Sequence, residues 1–215
     1  MCPTFSTYQS GLVGATNARS FGNPQQCGEL LDSLLIHSSD LCRPTMNWRH
    51  DAVVREIAAI FAECGYFVER EVQLFPTEGD RYRPADLLVP AFRGGDQMVI
   101  DVTIVSPMSK NAERVNHKTS ARYAVHQAQK SKHTKYDKML QKHNVSGDFV
   151  AFAGSTCASW GEEARDCISR IASLKAETHL VSYESALADI YHRLNTTLMA
   201  RIGLVLDFGI KTISL

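Results

Sequence analysis

The sequence predicts an α/β fold: an α-β-β-β-α-β core with a mixed central sheet flanked by helices, followed by C-terminal helices. Three observations carry this reading. Apolar residues recur at helical spacing from Trp48 to Cys64, with Val53, Ile57, Ile60, Phe61 and Cys64 on one face. Two apolar runs, Ala85-Asp86-Leu87-Leu88-Val89 and Val99-Ile100-Asp101-Val102-Thr103-Ile104-Val105, read as buried strands on either side of a Gly-Gly turn. A helical segment within 119–143 then separates them from another strand at 148–153, an alternation that builds a mixed sheet between helical layers.

The elements follow in order. Residues 1–46 are rich in Gly, Ser, Asn, Gln and Pro before Glu29 and read as an N-terminal arm. The core is expected over 47–180. Its first helix ends at Gly65, a residue suited to the left-handed C′ position. Tyr66–Leu74 alternates and predicts a half-buried strand, closed by turn residues at 76–80. The strand with Asp86, a turn at Arg93-Gly-Gly-Asp96 and the strand with Asp101 complete a meander. On the helix within 119–143, a wheel at about 100° per residue groups Ala121, Ala128, Lys132, Lys135 and Met139, so both lysines are expected on the buried side. Ser159-Trp-Gly-Glu162 matches a capping box and predicts a helix running to about Leu174. A helix over 182–199 opens a C-terminal extension at 181–215, whose end is ambiguous.

At 215 residues the chain is long enough for a sizeable core. Lys plus Arg and Asp plus Glu number 23 each, so net charge points to no partner. The basic residues are unevenly spread, with nine Lys/Arg, two acids and four histidines between Lys110 and His143. Such a stretch is either a solvated helix face or a phosphate-facing surface. No apolar run reaches the length of a membrane span, and no secretory signal precedes the fold. The six cysteines are scattered, which favours free thiols and an intracellular location over a disulfide framework.

The chemistry is expected at the two strand aspartates. Burying an ionised carboxylate is costly unless it is paired or binds a cation, and two on neighbouring strands repel each other. Asp101 and Thr103 share a face, so Asp101 can face Asp86 while Ile100 and Val102 fill the core. Either Asp101 pairs with Arg83, Arg49 or a helix lysine, or both acids hold a divalent cation. Mg²⁺ or Mn²⁺ suits an oxygen-donor pair. Glu56, at the edge of the first helix's apolar face, is a candidate third ligand, with a solvated flank as the alternative.

Pro84-Ala-Asp86, Asp101-Val-Thr103 and Lys132-His-Thr-Lys135-Tyr136, preceded by Arg49-His50-Asp51, resemble the PD-(D/E)XK nuclease superfamily. They are closest to the restriction-like endonuclease domain of non-LTR retrotransposons. The resemblance covers about residues 27–175. It implies a restriction-endonuclease-like fold and a Mg²⁺- or Mn²⁺-dependent DNA endonuclease. Asp86 and Asp101 would hold the metal, Lys132 or Lys135 would act on the phosphate or water, and Tyr136 would position the scissile strand or the lysine. Thr103 stands where the superfamily has its usual lysine, and Ala85 splits the Pro-Asp pair. Cys27, His37 and Cys42 resemble three ligands of the zinc knuckle that precedes such domains. With no fourth ligand they suggest a degenerate remnant rather than a Zn²⁺ site. The competing expectation is a nuclease-fold module that binds nucleic acid or a protein partner without catalysis.

Overall fold

The computed structural model describes residues 43–74, 85–107, 121–145 and 147–213. The possible zinc ligands Cys27, His37 and Cys42, the turn at 76–80, and Arg83 and Pro84 lie outside them. The elements are α1 (Arg43–Glu63), β1 (Glu69–Val72), β2 (Ala85–Val89), β3 (Met98–Val105), α2 (Ala121–Lys142), β4 (Asp148–Ser155), α3 (Glu162–His179) and α4 (Tyr183–Ile213). Their order is the expected α-β-β-β-α-β-α-α. The four strands form one mixed sheet in the order β1-β2-β3-β4. The first three pair antiparallel, and β3 and β4 pair in parallel across the α2 crossover.

Alternation divides the sheet into two faces. Leu87, Val89, Met98, Ile100, Val102, Val150 and Phe152 join the main core with Val53, Ile57, Ile60 and Phe61 of α1. Ile168 and Ile171 of α3, and Ala186, Ile190, Leu194 and Leu198 of α4, fill the same cluster. The C-terminal helix therefore packs into the core, and it continues past Met199 as one helix to Ile213. Each fully buried Ile or Leu here is worth about 1.5–3 kcal/mol in apolar area removed from water. The other face carries a smaller cluster around Leu88 and Val99, with Phe149 packed against it, and is covered by α2.

Local chemistry fixes the boundaries. Gly65, at φ 82, closes α1 with the paired bonds Gly65 N to Ala62 O (2.9 Å) and Tyr66 N to Phe61 O (3.0 Å). The Tyr66 and Phe61 rings meet edge-on, 6.3 Å apart, sealing this Schellman motif. Because Tyr66 is spent on the closure and β1 has one neighbour, the strand expected over 66–74 is only Glu69–Val72. The turn at 93–96 forms as expected, with Gly94 and Gly95 at φ 81 and 89.

The capping box does not form. Ser155 N donates to Ser159 O (2.9 Å), and Ser159 N donates to Ser155 Oγ (3.2 Å), so Ser159 is held in the preceding turn. Gly161 is the N-cap instead, and α3 begins at Glu162 and runs to His179. A Cβ on Gly161 would stand 2.5 Å from Gln129 Oε1, so this glycine lets α2 close against the start of α3.

Candidate functional site

The β2–β3 register pairs Leu87 with Ile100 and Leu88 with Val99. One step further sets Asp86 opposite Asp101, both on the face that α2 covers. The Asp86 Oδ2 atom accepts a 2.6 Å hydrogen bond from Val102 N and lies 3.1 Å from His50 Nε2. His50 Nδ1 lies 3.0 Å from Asp51 Oδ1. Burial pulls the His50 pKa down, but its hydrogen bonds and charge interactions with Asp86 and Asp51 outweigh this and raise it to about 9. At neutral pH the imidazole is therefore a cation between two carboxylates.

Asp101 is the more buried acid, with 5 % of its side chain exposed. Lys132 Nζ stands 2.5 Å from Asp101 Oδ2, an ion pair by distance that is off the angle of a hydrogen bond. Burial pushes the Asp101 carboxyl up to about 6 against the pull of this ammonium, and the Asp86 charge adds to the rise. Among the described residues the helix lysine Lys132 pairs with Asp101, as one of the expected readings has it.

Tyr136 is buried one turn beyond Lys132, and burial followed by the Asp101 charge raises its phenol pKa. Lys135 Nζ donates to Tyr136 Oη at 2.6 Å and sits 4.5 Å from the ring centroid. The buried stripe of α2 is Val125, Gln129 and Tyr136 with Lys132 beside it, a rotation away from the expected Ala121–Met139 face. Lys132 therefore points inward as expected, whereas Lys135 lies on an exposed flank and folds back over Tyr136. The apolar content of α2 is low, so the wheel had little signal to fix its rotation.

Thus Asp86, Asp101, Lys132, Lys135 and Tyr136 come together, and His50 joins them from α1. His50 was singled out in sequence only as part of Arg49-His50-Asp51; its position one turn before the buried Val53 and Val54 was the available signal. Glu56 does not join the group. Its Oε1 accepts a 2.6 Å hydrogen bond from Arg193 Nε of α4, within a network that also holds Glu63, Lys175 and Asp189. Glu71 is opposite Asp86 by continuation of the β1–β2 register, but with φ 54 it leaves the pleat and is exposed. Among the described residues, no three His, Cys, Asp or Glu side chains are grouped to hold a metal ion.

A second polar cluster pins the other flank of α2. His133 Nε2 is 2.9 Å from Glu163 Oε1, and His133 Nδ1 is 2.9 Å from Asp137 Oδ1. Glu163 Oε2 accepts from Ala151 N (2.9 Å), satisfying a backbone donor on the outer edge of β4. No described helix is long and apolar enough to cross a membrane. Compared with protein-family models, curated sequences and solved structures, the chain matches none.

Proposed function

We propose that this chain is a divalent-metal-dependent DNA endonuclease with a restriction-endonuclease-like core, derived from a retroelement. The observation that carries the reading is the convergence of Asp86, Asp101 and Lys132 on one sheet face, with Tyr136 beneath Lys135. The donor set suits Mg²⁺ or Mn²⁺. Each acid can offer oxygen, and these ions accept one or two carboxylates while keeping several waters. Asp86 and Asp101 would hold the ion, which when bound would polarise a phosphodiester and acidify a water. Lys132 would balance developing charge on the phosphate, and Lys135 and Tyr136 would orient the scissile strand. His50 holds the Asp86 carboxylate in place.

One observation favours a second reading, a nuclease-fold module without catalysis. Each acid already faces a cation of this chain, Asp86 facing His50 and Asp101 facing Lys132, so charge balances without a metal. Incubation of supercoiled plasmid with Mg²⁺, Mn²⁺ or EDTA separates the two. The endonuclease reading expects metal-dependent nicking by the wild type, lost in Asp86→Ala and Asp101→Ala. A folded wild type that shifts DNA in a gel but never nicks it supports the binding module.

A further inference from the structure

We propose that the exposed lysines Lys135, Lys138 and Lys142 form a ledge that holds duplex DNA by its phosphates beside Asp86 and Asp101. This rests on the reading of that acid pair as a DNA-cleaving site. The three residues occur at i, i+3 and i+7 on α2 and are all exposed. At about 100° and 1.5 Å per residue they fall within about 60° of one another and span about 10 Å of the helix. Duplex DNA carries one charge per about 1.7 Å of axis, so a ledge of that length meets several phosphates.

The two flanks of α2 differ in charge. On one flank His133 turns toward Glu163, beside a groove of about 680 Å³ where Lys130 and Arg170 face Asp148, Glu162, Glu163 and Asp166. That flank mixes charges of both signs, with Arg170 paired to Asp148 and His133 to Glu163. The opposite flank carries Lys132 toward Asp101, and Lys135 follows it about 60° around the helix. The single acid of α2, Asp137, is engaged by His133. Cations are therefore concentrated where a strand approaching the aspartates would pass. Lysines near a helix C-terminus also complement the helix dipole, which is the plain alternative that the test must separate.

Binding of the full chain to a fluorescein-labelled 20-base-pair duplex, in EDTA and across a salt series, provides the test. Each phosphate contact adds about 0.9 to the slope of log affinity against log salt. The double variant Lys138→Gln/Lys142→Gln should lower that slope by about 2, and Arg122→Gln/Lys130→Gln by less than half as much. Lys135 stays untouched because it contacts Tyr136. A wild-type slope in Lys138→Gln/Lys142→Gln, equal losses in both double variants, or tighter binding to duplex RNA of the same sequence overturns the proposal. Cleavage is scored separately. A reduced slope in a protein that never nicks plasmid leaves the ledge standing and removes the nuclease reading, whereas nicking with an unchanged slope does the reverse.

Discussion

Replacing Asp101 with asparagine separates a functional carboxylate from a structural salt bridge. The ordinary aspartate value of 3.8 rises to about 6 in the fold, despite the Lys132 ammonium 2.5 Å away. The native state therefore binds more protons than the unfolded chain between pH 4 and 6, and stability falls as pH rises through that window. The difference of about 2 pH units, at about 1.4 kcal/mol each, makes the ionised group a liability of about 3 kcal/mol above pH 7. Asparagine keeps the shape and an acceptor for Lys132 but carries no charge. Relative to wild type, Asp101→Asn should therefore gain about 2 kcal/mol between pH 4.5 and pH 8, where most of the linkage falls. Denaturant unfolding in EDTA at both pH values measures this. The fluorescence of Trp160, which is buried and hydrogen-bonded to Asn195 at 2.9 Å, provides the signal. If Asp101→Asn is less stable than wild type by the same margin at both pH values, the ion pair is stabilising and the reasoning fails.

Two further outcomes follow from the same geometry. His50, raised to about 9, contributes stability that is fully present below pH 6.5 and is lost as pH rises through 9. Stability of the wild type relative to His50→Gln should therefore decline between pH 6.5 and 9.5 in denaturant titrations, and a constant difference would show that the His50–Asp86 contact has no electrostatic weight. Gly161→Ala places a Cβ 2.5 Å from Gln129 Oε1. The resulting overpacking should cost about 1–3 kcal/mol and shift α2, so melting temperature and any plasmid nicking should fall together. An unchanged melting temperature would mean that Gln129 moves aside freely.

The elements legible in the sequence were those with strong local signals. The α1 face repeats at helical spacing over about three turns, and every residue assigned to it is buried. The two acid-bearing strands stood out because each places a carboxylate in an apolar run, and period-2 alternation set Asp101 apart from the core side of β3. The signal weakened where a segment satisfies two partners. Ser159 fitted a capping box, but its backbone is taken by Ser155 of the neighbouring strand end. Glu56, at the margin of an apolar face, could turn either way, and Arg193, 137 residues further along the chain, captured it.

The sequence by itself determined the order of the elements, the identity of the two aspartates and the basic character of α2, because residue types and short-range periodicity encode them. Only the tertiary structure decided that Asp86 and Asp101 stand opposite each other, that His50 rather than Glu56 reaches the acids, and that Lys132 turns inward while Lys135 stays on the surface. Register, helix rotation and charge pairing are settled by contacts between residues far apart in the chain. Burial decides which charges must find partners, and packing decides which partners lie within reach.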